Sequence, residues 1–216
     1  MTSSSPTVAS LPPLAAQAEH LIELGIPELA GMRVEDLRTF AADSGRATGG
    51  DLLAVHPDRL SASAIAPLLR HDGKPGFVVT DMPDVDHFAP SAVDLPDAPL
   101  YVVNGLDRGD RLANWTPKEA LPVLSEEGRS PLLLTEGMHW VLQQPTALER
   151  NHCFMTIGSR LRKANGTLDA RTPALWISNG TGRDGRERRN APKVGWCWWG
   201  NRHTWLGIAS AESRRP

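Results

Sequence analysis

The chain has 216 residues, 40% of them hydrophobic and 22% charged, the usage of a globular protein with room for one sizeable domain. A formal net charge of −2 excludes an overall basic field that would recruit nucleic acid or acidic lipid. Apolar runs fall far short of the roughly 20 residues that cross a bilayer, and no secretory signal opens the chain, so a cytoplasmic location with no membrane partner is expected.

Residues 1–12, MTSSSPTVASLP, read as a disordered leader, and 13–216 as a single α+β domain. In LAAQAEHLIELG, Leu14, Ala18, Leu21 and Ile22 recur at helical spacing up to Gly25, a C-cap residue. MRVEDLRTFAADSG repeats the pattern with Val34, Leu37, Phe40 and Ala41. With the turn GIPELAG the two segments form a helical hairpin over 13–45, expected to pack on its own domain.

From residue 51 to 211 a sheet-containing body follows. DLLAVHP, GFVVTDM and APLYVVNGL read as strands bounded by turn residues, and SASAIAPLLRH as a short helix. TPKEALPVLSEEG opens a helix with Thr116 as N-cap, Pro117 behind it and Glu119 in the first turn. A further helix runs from about Thr135 to Pro145. NHCFMTIGSRL, PALWISNG, KVGWCWWG and HTWLGIASA supply the remaining strands. Helices in front and strands behind give an α+β class: a helical hairpin packed on a mixed or antiparallel sheet with additional helices. Between two strands, residues 179–192 form a glycine-rich basic stretch, expected as a mobile hairpin loop with no aromatic residues to stack on bases.

The candidate chemistry is sparse. The histidines show no metal-ligand spacing, and DMPDVDH (81–87) suits an exposed turn better than a cation site. Cys153 and Cys197 are expected as buried free thiols. Cys197 and His203 would face each other if Gly200-Asn201 turned a hairpin, although a thiol among tryptophans is held protonated by its apolar surround. On a strand Trp196 and Trp198 share one face, Cys197 and Trp199 the other. Asn151, Ser159, Arg160, Asn201, His203 and Thr204 are polar residues flanking apolar strands. Arg160 is either a fork for a carboxylate or phosphate, or one half of a structural ion pair with a residue such as Asp107.

LDRGDRLANWTPKEALPVLSEEGRSPLLLTEG (106–137), NHCFMTIGSR (151–160), PALWISNG (173–180) and PKVGWCWWGNRHTWLGIASA (192–211) together carry a resemblance. With them the chain resembles an actinobacterial family of uncharacterised proteins, domain of unknown function 5701. The motif positions are Asp107, Gly109 and Asn114; then Asn151, Cys153, Phe154, Gly158, Ser159 and Arg160; then Trp196, Cys197, Trp198, Gly200, Asn201, His203, Thr204, Trp205 and Gly207. Two departures from the pattern, His139-Trp140 and an inserted basic loop at 181–190, suit a specialised member, such as one serving secondary metabolism.

The function expected is that of a small-molecule-binding protein or enzyme. Its pocket would be lined by Asn151, Arg160, Trp196, Trp198, Asn201 and Thr204, with His203 as general acid or base because an imidazole titrates near neutrality. The ligand would be a small anionic or aromatic compound; no metal, cofactor or nucleic acid is expected. The alternative is a non-catalytic interaction or regulatory module working through the helical hairpin or the basic loop.

Overall fold

The computed structural model describes residues 10–44 and 50–216. Leu14, Ala18 and Leu21 are buried along α1 (Leu14–Glu23), which stops before Gly25, left-handed at φ 75° where a side chain would be strained. The GIPELAG turn holds one helical turn of its own, α2 (Ile26–Leu29), before α3 (Val34–Asp43) packs back on α1. Gly45 and residues 1–9 of the expected leader lie outside the described residues. At the other end of that leader, Leu11 is buried and the Pro12 carbonyl accepts a hydrogen bond from Gln17 Nε2.

Beyond the hairpin the chain forms β1 (Leu52–Val55), α4 (Ala62–Ile65), β2 (Arg70–His71), β3 (Lys74–Pro75) and β4 (Phe77–Val78). It continues through β5 (Phe88–Pro90), β6 (Leu100–Asn104), α5 (Pro117–Glu126), β7 (Ser130–Pro131) and α6 (Leu134–Gln143). Last come β8 (Cys153–Met155), β9 (Ser159–Leu161), β10 (Arg171–Ile177), β11 (Pro192–Trp198), β12 (Leu206–Ile208), β13 (Ser210–Ala211) and β14 (Ser213–Arg215). The fold is α+β, with the helical hairpin ahead of the sheets.

Two sheets organise the core. One is antiparallel, in the order β1-β6-β14; the other is mixed, in the order β12-β8-β10-β11-β4, with β12 parallel to β8 and β11 parallel to β4. Helix α6 contacts β1 in the first sheet and β10 in the second, and every one of its residues is buried. Gly137 is what permits the close approach: a Cβ there would come within 2.8–3.0 Å of the Thr156, Leu175 and Phe154 side chains. One turn on, Trp140 stacks on Phe154 with ring centroids 5.3 Å apart.

Strand β1 is an edge strand, and two side chains seal it. Gln17 accepts from the Leu53 N–H (2.9 Å) and donates to the Asp51 carbonyl (2.7 Å), so its amide acts as a short piece of neighbouring strand. Further along, His139 Nε2 accepts from the Val55 N–H (3.4 Å) while its Nδ1 lies 2.8 Å from the Thr135 carbonyl. These partners fix Nδ1 as the protonated nitrogen, and burial lowers the imidazole pKa and keeps it neutral. His139 is thus a clasp between α6 and β1.

A buried ion pair ties the ends of this layer together. Glu136 in α6 accepts from Arg214 of β14 (Nε–Oε1 2.6 Å, Nη2–Oε2 2.7 Å), from the Tyr101 hydroxyl (3.0 Å) and from the Leu133 N–H (2.8 Å).

The hairpin considered at Gly200-Asn201 does not form. Strand β11 is separated from β12 by β10 and β8, so residues 199–205 cross the sheet instead of turning back along it. Period-two alternation identifies the faces of a strand but carries no information about its neighbour. The basic stretch does connect an antiparallel pair, β10 and β11. It is pinned by Asp184, which is buried and accepts from Ser178 Oγ (2.7 Å) and Lys193 Nζ (2.7 Å).

Candidate functional site

The starts of β8 and β12 and the end of β10 meet at one end of the mixed sheet, and an open pocket of about 350 Å³ lies there. Its rim is a tight turn in which Glu149 and His152 exchange backbone hydrogen bonds (3.1 and 2.9 Å). Asn151 takes the left-handed position of that turn at φ 67°, a conformation asparagine tolerates better than most residues. The turn presents Arg150, whose guanidinium donates to Asn179 Oδ1 (3.1 Å) and to Asn190 Oδ1. Trp176 and Trp205, edge to face at 6.1 Å, form the walls, and Cys153 and Ile177 also line the pocket.

The Cys153 thiol donates to the Glu149 carbonyl at 3.2 Å, and burial pushes its pKa up to about 11. Cys197 is pushed up to about 12 by the same cause. Both thiols are protonated at neutral pH and are poor nucleophiles. Among the described residues no group of three or more histidine, cysteine or acidic side chains is placed to hold a metal ion.

The predicted residues are not gathered into one pocket. Asn151 lines it. His203 is not among its lining residues; its ring lies 5.7 Å from that of Trp205, burial lowers the imidazole pKa, and among the described residues its buried Nε2 has no partner. Arg160 lies towards the far end of β10, where its Nη2 reaches the Asp169 carbonyl and its guanidinium carbon sits 3.9 Å above the Trp199 ring. At 3.3 Å per residue the length of β10 separates the two regions by about 20 Å. Asp169, not Asp107, is the acidic residue beside Arg160; the Asp107 carboxylate accepts from the Gly109 N–H at 2.7 Å. Trp196 and Trp198 pack edge to face at 4.6 Å on the face opposite Cys197, with Trp198 largely exposed. Asn201 and Thr204 are exposed on the crossover, where the Asn201 N–H donates to the Trp198 carbonyl.

Arg150, Trp176 and Asn179 are lining residues that the sequence reading did not single out. They come from strand ends separated by more than twenty residues, and their only local signal is the polar run beside Cys153. Two of the three aspartates of DMPDVDH are likewise spent on structure: Asp84 forms a two-pronged pair with Arg171 (3.0 and 2.6 Å), and Asp86 accepts from the Ser63 N–H and hydroxyl.

Residues 20–216 match the model of a family of unknown function, DUF5701. The chain belongs to that family. No curated protein and no solved structure matches it. In this DUF5701 chain two glycines, Gly109 and Gly207, serve close packing. A Cβ on Gly109, itself at φ 75°, would lie 2.0 Å from the Ile208 carbonyl oxygen, and one on Gly207 2.4 Å from that of Arg108. The LDRGDRL segment therefore fits against β12 with no space for side chains at the contact. In the DUF5701 chain the pocket joins Arg150 and Asn151 of the rim to Trp205 at the end of the crossover.

Proposed function

We propose that this protein binds a small anionic ligand carrying a flat ring in the pocket between Arg150, Asn151, Asn179, Trp176 and Trp205. The observation that carries this reading is Arg150. It is the one charged residue lining the pocket, and among the described residues its guanidinium meets two asparagine carbonyls and no carboxylate. A guanidinium oriented by neutral acceptors keeps its charge for a ligand, and its planar fork suits a carboxylate or phosphate. The indoles of Trp176 and Trp205 supply the apolar surface that a ring would cover. Binding is favoured over covalent catalysis because the lining thiol is held protonated, and His203 stands outside the lining set.

Titration with phenyl phosphate and with benzoate, followed by tryptophan fluorescence, tests the reading, with benzyl alcohol as the neutral control. Arg150→Gln is expected to weaken anion binding about 10- to 100-fold, the loss typical of one charge-assisted hydrogen-bonding group. Equal binding of the alcohol, or anion binding unaltered by Arg150→Gln, overturns it.

A further inference from the structure

The seam between the helical hairpin and the antiparallel sheet holds a second recess. A cleft of about 310 Å³ opens there, lined by Met32 and Phe40 of the hairpin and by Ala98, Pro99 and Leu100, which lead into β6. Met32 and Phe40 are only half-buried. The backbone fixes the walls: the His56 N–H donates to the Pro99 carbonyl (2.9 Å), and the His56 carbonyl accepts from the Arg59 N–H (2.9 Å) in the turn after β1. Two charged residues line the cleft, and their situations differ. The Asp36 carboxylate is spent on Arg33, whose backbone N–H and guanidinium both donate to it. Arg59 is exposed, and among the described residues its side chain has neither a hydrogen bond nor an ion pair.

An adjoining cavity of about 410 Å³ shares Arg59, Ala98 and Pro99 with this cleft and adds His56, Asp58 and Asp97. The two are halves of one groove, one apolar and one polar, with Arg59 on their common wall. Asp97 is exposed and among the described residues has no partner, and Asp58 lies 3.6 Å from His56 Nδ1. Neither carboxylate pairs with Arg59, so a cation and two anions line one cavity without neutralising each other. Water hydrates exposed charges well, but the apolar half of the groove is surface that burial would stabilise. A lone anion at Arg59 would meet two carboxylates in the same cavity, and a lone cation would be opposed by Arg59. A molecule with both charges beside one apolar group answers all three features.

We infer that this groove binds a free α-amino acid with an apolar side chain of leucine or methionine size. Its carboxylate pairs with Arg59, its ammonium group turns to Asp97 and Asp58, and its side chain enters the cleft between Met32, Phe40 and Leu100. The site is separate from the Arg150 pocket, with which it shares no lining residue, and its ligand needs no flat ring.

Isothermal titration calorimetry with L-leucine tests the assignment, because leucine has no ring to lay against Trp176 and Trp205. Isocaproate lacks the ammonium group, isoamylamine lacks the carboxylate and serine lacks the apolar side chain. Each is expected to bind about tenfold more weakly than leucine, or weaker still. Arg59→Gln and Asp97→Asn alter exposed side chains, so both should fold with the Tm of the parent while each weakens leucine about tenfold. Arg59→Gln should further weaken isocaproate and spare isoamylamine, and Asp97→Asn should do the reverse. Arg150→Gln should leave leucine binding unchanged, which separates failure of this site from failure of the pocket. No saturable heat at millimolar leucine, equal binding of isocaproate and leucine, or a leucine affinity untouched by Arg59→Gln overturns the assignment.

Discussion

Replacing Glu136 by Gln keeps the size and shape of the side chain and removes one charge from the interior. In the native protein Glu136 receives four hydrogen bonds: two from Arg214, one from Tyr101 and one from the Leu133 N–H. The Glu136 side chain is fully buried, and that of Arg214 is 4% exposed. The amide has one acceptor oxygen where the carboxylate has two, so its NH2 group must face an Arg214 N–H donor whichever way it turns. Arg214 is then left as a buried cation without a counter-charge. Breaking one partner of such a pair costs about 3–5 kcal/mol, which for a chain of this length lowers Tm by roughly 6–20 °C. Differential scanning calorimetry of Glu136→Gln, Arg214→Met and the double variant measures it. The double variant should recover part of the loss, because no orphaned charge remains and methionine refills the volume. A Glu136→Gln protein within 1 kcal/mol of the parent, or strictly additive single losses, would refute the picture of a coupled buried pair.

Four shorter predictions follow from other parts of the molecule. The Arg171 guanidinium, through its two hydrogen bonds, holds the Asp84 carboxyl below its ordinary value. Its folded pKa therefore lies below the unfolded value of about 3.9, so its contribution is complete above that value and is lost as pH falls through the folded pKa; Asp84→Asn should lose about 1–2 kcal/mol at neutral pH and flatten the acid limb of a Tm–pH profile. Cys153 and Cys197, with pKa values raised to about 11 and 12, should resist a thiol-reactive disulfide reagent at pH 8 and react only on denaturation; rapid labelling of the native protein would contradict their burial. Gly109→Ala places a methyl group against the Ile208 carbonyl at positive φ and should cost more than about 3 kcal/mol, read as insoluble or low-melting protein. Gln17→Leu removes the amide that seals β1 and should cost about 1–3 kcal/mol for the unpaired backbone groups, with amide exchange at Leu53 accelerated in step.

Much of the secondary structure was legible because its causes are local. The spacing of Leu14, Ala18 and Leu21 and the stop at Gly25 specify α1 without reference to the rest of the chain. Thr116 and Glu119 form a reciprocal capping box at the start of α5, with Thr116 Oγ1 accepting from the Glu119 N–H at 3.2 Å. The two-residue strands β2, β3 and β7 were not legible as such, since pairs this short exist only because the fold brings them together. The crossover after Trp199 was hidden for the same reason: GWCWWGNRHTW has the pattern of a hairpin, and the choice of β8 as the partner of β12 rests on distant residues. The pocket was half legible. Asn151 stands out in sequence as a polar residue beside an apolar strand, whereas Arg150 and Asn179 matter only because β8 and β10 pair. Arg160 and His203 were conspicuous as polar residues in apolar surroundings, and each carries a buried nitrogen that finds no partner among the described residues. The sequence marked the unusual side chains without showing that they lie in different regions of the sheet.

The pairing of β6 with β14 also has a consequence in time. Ser213 meets Asn104, 109 positions earlier in the chain, and chains are synthesised at about 5–20 residues per second. Strand β6 therefore waits roughly 5–20 s after it is made before its second neighbour exists, and Glu136 waits several seconds for Arg214. During that interval a central strand is an open edge and a buried carboxylate has no counter-ion. Completion of this layer therefore waits for the last residues of the described chain, since β14 supplies both the second neighbour of β6 and the counter-ion of Glu136.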